Sequence, residues 1–137
     1  MIPSKHDVYL EYEEEPWIII SGILIYANKE SNPGFFYALW DTGATTSSIS
    51  KEVIAALNLT PDGQMGIRSS NSESIQDTYT VGVAFWDSLV AITDVQVNDA
   101  VPRSERFQVV IGMDIIKQGN LFYGKVDDKY LFTFDIR

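Results

Sequence analysis

The sequence predicts an all-β fold, a barrel or sandwich of short strands with one or two short helices. Two observations carry this. Runs rich in Ile, Val, Tyr and Phe recur along the chain, separated by clusters of Gly, Pro, Asn, Asp and Ser. Only two short segments have the composition of a helix. There is no repeat at a fixed period and no low-complexity linker. At 137 residues the chain is one domain, long enough to bury roughly two-thirds of its unfolded surface without covalent staples.

The elements follow in order. Residues 1–16 read as an N-terminal arm whose acidic run, Glu11 to Glu15, suits a solvated edge strand; residues 17–137 read as the domain. Trp17 to Ala27, rich in Ile, is expected as a buried strand. Asn28 to Gly34 is a turn cluster, and Phe35 to Trp40 a second strand. Ser50 to Leu57 is expected as a short helix, with Ser50 as N-cap and Glu52 in its first turn. Thr60 to Ile67 and Ser74 to Trp86 are two strands joined by a polar segment. Val90 to Val97 and Phe107 to Ile111 are further strands, and Met113 to Lys117 is one helical turn. Leu121 to Tyr123 and Tyr130 to Ile136 form a final hairpin turning at Asp127-Asp128. Trp17, Trp40 and Trp86 are expected in the core. His6 is expected as a solvated tail residue, and Arg103 to Arg106 as a surface loop.

Composition excludes much chemistry. The chain has no cysteine and one histidine. Thiol nucleophiles and Cys/His zinc sites are therefore ruled out, and a Ser-His-Asp triad would have to recruit His6 from the charged arm. A net charge of −9 argues against nucleic acid and anionic membranes as partners. The apolar stretch Trp17 to Tyr26 is far too short to span a bilayer, and no charged-then-apolar leader pattern precedes it. A soluble, cytoplasmic protein without a metal or cofactor is expected. If the chain is an enzyme, carboxylates are the groups left to do the chemistry.

One carboxylate stands out. Leu39-Trp40-Asp41-Thr42-Gly43-Ala44 places an aspartate at the end of a buried strand, where its surroundings can tune its pKa. Thr42 supplies a hydroxyl that can hold the loop. Gly43 permits a tight turn and the close approach of another carboxylate. Two such aspartates sharing one proton can activate a water for attack on a carbonyl, because like charges a few ångströms apart cannot both ionise. Taken alone, Asp41 could equally be a turn residue. Far downstream, Val109-Val110-Ile111-Gly112-Met113-Asp114-Ile115-Ile116 has the form of three apolar residues, Gly-x-Asp and two apolar residues.

With both motifs in this order, the chain resembles the retropepsin-like aspartic proteases, the single-lobed relatives of the retroviral enzymes, in a bacterial or phage-type form, over about Trp17 to Ile136. The resemblance implies a single-lobed acid-protease barrel and hydrolysis of peptide bonds. It makes Asp41 the catalytic carboxylate, Thr42 the loop-locking hydroxyl and Gly43 the tight turn. Gly112 would pack against the catalytic loop, with Asp114 in a structural role. The segment from Met65 to Gln76 would be a flap over the substrate, so Ala44, Ile67, Arg68, Ser69, Ser70 and Asn71 are the candidate substrate contacts. Apolar residues are expected to flank the cut. Asp-Thr-Gly occurs once, so the dyad requires a homodimer with an Asp41 from each copy meeting on a twofold axis. Two features depart from the retroviral pattern. The flap tip, Ser69 to Glu73, lacks glycine, and the chain continues past Asp114 into a full hairpin. The alternative of a different class is a non-catalytic module of the same fold that dimerises and binds extended peptides by strand pairing.

Overall fold

The computed structural model describes residues 6–68, 71–85 and 91–136. Ten strands and two short helices alternate along these residues. They are β1 (Val8–Tyr12), β2 (Ile20–Tyr26), β3 (Gly34–Trp40), β4 (Ser48–Ile49), α1 (Lys51–Leu57), β5 (Gly63–Arg68), β6 (Glu73–Phe85), β7 (Ala91–Asn98), β8 (Val109–Ile111), α2 (Met113–Ile116), β9 (Gly119–Val126) and β10 (Lys129–Ile136). The fold is all-β and single-lobed, as the sequence implies.

Seven strands form one sheet in the order β2-β3-β8-β4-β7-β6-β5. Pairing of β2 with β6, from Ile23↔Phe85 to Tyr26↔Gly82, closes six of them into a barrel. β5 is left as an outer strand hydrogen-bonded to the first half of β6. The barrel needs a bend to close, and the β6–β7 ladder supplies one. Val81 faces Val95 but Val83 faces Ile92, and Asp94 takes up the extra residue in a left-handed conformation, φ 58°. A second sheet, ordered β1-β10-β9, packs against the barrel.

Alternation along the strands builds the core. In β2, Ser21, Ile23 and Ile25 are buried while their neighbours are only partly covered. Trp40 joins the two sheets. Its ring lies 5.5 Å from Phe85 of the barrel, and 4.9 and 5.0 Å from Phe132 and Phe134 of β10. Its indole N–H donates to Ser21 Oγ at 2.8 Å inside this cluster, so the one polar atom of the ring is satisfied.

Several elements differ from the sequence reading. The strand expected from Trp17 starts at Ile20, and Trp17 is fully exposed rather than in the core. Pro16 before it has a fixed φ and no N–H to give a ladder. Within residues 1–16, in keeping with the edge-strand reading, β1 stands at the edge of the second sheet and pairs with β10 from Val8↔Phe134 to Tyr12↔Tyr130. His6 is not a free tail residue: its Nδ1 lies 2.8 Å from Asp135 Oδ2. β4, only two residues long, was not anticipated. Ser50 stands at the N-cap of α1, with its carbonyl accepting from Val53 and Ile54, but its hydroxyl makes no capping bond. Asn58 ends α1 in the left-handed conformation, φ 52°, and Leu59 N closes back onto Ile54 O at 3.0 Å. At the final hairpin Asp127 and Asp128 both take positive φ, 49° and 67°, as a two-residue I′ turn requires. Ser69, Ser70, Trp86 and Val90 lie outside the described residues. No helix among the described residues is long and apolar enough to cross a membrane.

Candidate active site

Asp41 sits where β3 leaves the barrel. β3 runs parallel to β8, with Trp40 opposite Ile111, and the ladder ends in a bond from Asp41 N to Ile111 O at 2.9 Å. The strand therefore fixes the backbone of Asp41, and the loop begins immediately after it. Asp41 Oδ1 accepts from Gly43 N at 2.9 Å, and Ala44 N returns to Asp41 O at 3.2 Å. This turn folds the carboxylate over its own loop. A Cβ on Gly43 would lie 3.2 Å from Asp41 Oδ1, so glycine lets the backbone approach the carboxylate this closely. Asp41 is half-buried, and Thr42 and Gly43 are exposed. Neither Asp41 Oδ2 nor the Thr42 hydroxyl has a partner among the described residues.

The second motif lies directly beneath. Met113 N donates to Ala44 O at 2.7 Å and Asp114 N to Thr45 O at 3.2 Å. Gly112 is buried here, and a Cβ on it would come within 2.8 Å of Ala44 O and of the Thr46 carbonyl carbon and oxygen. Only a residue without a side chain fits between β8 and this loop. Asp114 holds the far end of the loop. Its two oxygens accept from Ser47 N at 2.9 Å and from Ser47 Oγ at 2.6 Å. The Ser47 hydroxyl in turn accepts from Gly112 N at 2.9 Å. Asp114 Oδ1 also accepts from Ile115 N at 2.8 Å, its negative charge standing in the first turn of α2.

Two contributors were not singled out in the sequence. Asn98, buried at the end of β7, donates from Nδ2 to Thr46 Oγ1 at 3.2 Å and to Ser47 O at 3.4 Å. Its own Oδ1 accepts from Ala100 N at 2.9 Å. Met65 of β5 places its sulfur 3.8 Å from the same Asn98 nitrogen. No local motif marks either residue. The one available signal is an asparagine closing an alternating apolar strand, where its amide must find partners inside.

The β5–β6 hairpin stands over this cluster. Met65 lies on the same face as Ile67, whereas Gly66, Arg68 and Ile75 lie on the other. Arg68 reaches Glu73 at 3.5 Å on that outer face. Asn71 is exposed, and Ser69 and Ser70 lie outside the described residues. At the base of the hairpin, Asp62 accepts from Thr78 Oγ1 at 3.1 Å and from Thr80 Oγ1. The bond from Thr80 is the main cause holding the Asp62 carboxyl below its usual range.

Two cavities, of 460 and 560 Å³, lie elsewhere. One is beside Tyr26 at the far end of β2, the other between Ser50 and Arg103. No cluster of three or more metal-ligating side chains occurs among the described residues. What this chain presents is a single aspartate on a braced loop beneath a hairpin.

A loop of this form, braced by Gly-x-Asp and set in a single-lobed barrel, defines the aspartic protease class. The family model described as aspartyl protease matches residues 35–115, and the chain belongs to that family. Among solved structures it is similar to a retropepsin-like aspartic protease from Rickettsia conorii, with a TM-score of 0.50 and 14% identity over 85% of this chain and 93% of that one. At that identity the likeness shows the fold. No curated protein sequence matches the chain.

Proposed function

We propose that the protein is an aspartic endopeptidase that works as a homodimer, with the Asp41 carboxylates of two copies forming the catalytic pair. The observation that carries this reading is the state of Asp41 itself. One oxygen is tied to Gly43 N at 2.9 Å, and the other has no partner among the described residues. A carboxylate that fastens its own loop through one oxygen leaves the other free to meet a second group.

In the pair, one Asp41 carries the shared proton and the other is ionised. The ionised carboxylate takes a proton from a water lying between them, and the water oxygen attacks the scissile carbonyl. The protonated partner polarises that carbonyl, and its proton passes on as the tetrahedral intermediate forms. Collapse breaks the C–N bond and returns a proton to the leaving amine. Thr42, exposed beside Asp41, would fix one loop against the other. Ala44, Met65 and Ile67 would face the extended substrate, with Asn71 at the flap tip beside it. Arg68, on the outer face, would act through its pairing with Glu73. Substrate is a peptide or an unfolded segment of protein.

The test is cleavage of a denatured protein mixture by wild type and Asp41→Asn across acid to neutral pH, with the mass in solution measured alongside. Cleavage by the wild type that is lost in Asp41→Asn supports the reading. A dimer that binds extended peptides but never cuts them would replace it with the non-catalytic module.

A further inference from the structure

We propose that the 460 Å³ cavity beside Tyr26 binds a short peptide of two or three residues by its two free ends, with the peptide's carboxylate on Lys29 and its ammonium on Asp94. The site lies apart from Asp41 and does not depend on the catalytic reading. Ile20, at the start of β2, pairs with Leu39 just before the Asp41 loop, whereas Tyr26 ends that strand. At about 3.3 Å per residue, the two ends of β2 are roughly 20 Å apart.

The cavity spans three neighbouring strands. Tyr26 of β2 pairs with Gly82 of β6. On the other side of β6, Val81 faces Val95 and Val83 faces Ile92, so Gly82 stands opposite the two bulge residues Thr93 and Asp94. Because Gly82 has no side chain, the middle strand leaves a hollow between its neighbours. A Cβ added there would meet only Tyr26, at 3.4 Å from its Cβ and 3.9 Å from Cδ1, and Ile92 O at 3.8 Å. Lys29 lines the hollow from the turn after β2, and Thr93 and Asp94 line it from β7. That turn is braced: Asn28 Oδ1 accepts from Glu30 N at 2.9 Å and from Ser31 N at 3.0 Å. The volume falls within the roughly 300–1,000 Å³ of small-ligand sites.

The lining selects the ligand by charge. Lys29 and Asp94 are exposed, and neither forms an ion pair among the described residues. Thr80, also on the wall, already gives its hydroxyl to Asp62. A ligand bearing only a carboxylate would meet Asp94, and one bearing only an amine would meet Lys29. A molecule with one charge at each end satisfies both, through charge-assisted hydrogen bonds. Length follows from the strands. They stand about 4.8 Å apart, so β2 and β7 lie about 10 Å from each other across β6. An extended peptide covers up to about 3.5 Å per residue, so two or three residues bridge that width and a single amino acid does not. The Tyr26 ring and Ala91 offer apolar surface to the peptide's side chains.

Calorimetric titration of the full chain with trialanine tests this, beside trialanine acetylated at its amine and trialanine amidated at its carboxylate. The free peptide is expected to bind, and blocking either end to weaken binding about tenfold or more. Asp94→Asn, which tolerates the left-handed conformation held there, should weaken the free peptide by the same factor. Acetylation should then cost that variant nothing further. Lys29→Met should behave likewise toward amidation. A variant that had merely misfolded would lose every form of the peptide and could not show this matching of one residue to one end. No binding of free trialanine at millimolar concentration overturns the proposal, as does equal binding of a peptide blocked at both ends. Blocking losses that persist undiminished in the two variants overturn it as well. Loss of trialanine binding in Asp41→Asn would put the peptide at the aspartate and overturn the cavity site.

Discussion

Ser47 and Asp114 hold the two motifs of this chain together through a pair of hydrogen bonds. Ser47 N donates to Oδ2 at 2.9 Å and Ser47 Oγ to Oδ1 at 2.6 Å. The same hydroxyl accepts from the buried Gly112 N at 2.9 Å. One side chain thus joins the loop after Asp41 to both polar members of Gly-x-Asp. Ser47→Ala leaves the Gly112 N–H without a partner, and its expected cost is about 1–3 kcal/mol. Asp114→Asn keeps one acceptor oxygen for three donors, Ser47 N, Ser47 Oγ and Ile115 N, and is expected to cost a similar amount. Thermal unfolding checks both. Because the two side chains act as one unit, the double variant should lose less than the sum of the single losses.

Gly112 makes a sharper prediction. A Cβ there would sit 2.8 Å from Ala44 O and from the Thr46 backbone. These are main-chain atoms of the Asp41 loop and cannot swing aside. Gly112→Ala is expected to destabilise the fold by about 1–3 kcal/mol and to displace Asp41, so peptide cleavage falls further than stability alone accounts for. Gly66→Ala is the control. Nothing lies within 4 Å of its built Cβ, and in a strand it removes glycine's excess chain entropy. It should leave the unfolding temperature unchanged or slightly raised. Equal losses in the two variants would refute the packing account.

How much of this was legible in the sequence depends on whether the signal was local. β3, α1 and β8 announce themselves by apolar runs bounded by turn residues, and the Asp127-Asp128 turn by its chemistry. The Asp41 loop and Gly-x-Asp could be paired only because both motifs resemble a family. What fails is what depends on distant partners. β4 is two residues held by β8 and β7, so it has no period of its own. His6 reads as a tail until β1 brings it to Asp135, far along the chain. Trp17 looks like core because it opens an Ile-rich run, yet the barrel has no place for it. Asn98 supports the site from a strand with no motif, and only its burial reveals the role.

Trp40 tests the junction between the two sheets. Its N–H donates to Ser21 Oγ at 2.8 Å in a buried setting. Ser21→Ala leaves that donor unsatisfied and is expected to cost about 1–3 kcal/mol. Trp40→Phe removes the donor together with part of the ring that touches Phe85, Phe132 and Phe134. Adding Ser21→Ala to Trp40→Phe should then cost little more than Trp40→Phe alone, since no donor remains to be stranded. Urea unfolding of the four proteins measures this coupling; strictly additive losses would show that the hydrogen bond contributes nothing.

Asp62 sets how the base of the hairpin responds to acid. Its carboxylate accepts from Thr80 Oγ1 and Thr78 Oγ1 at the start of the β5–β6 unit. These bonds favour the charged form, so its folded pKa lies below the unfolded value, which is about 3.9. A depressed carboxyl pKa contributes stability that is fully present above the unfolded pKa and is lost as pH falls through the folded one. The anchor should therefore hold throughout the mildly acidic range in which a shared-proton aspartate pair works. Asp62→Ala should lower the unfolding temperature by the same amount from neutral pH down to about pH 5. The gap to wild type should then close as pH falls below about 3.9. A gap that stays constant through that range would mean that Asp62 acts by packing and not by its charge.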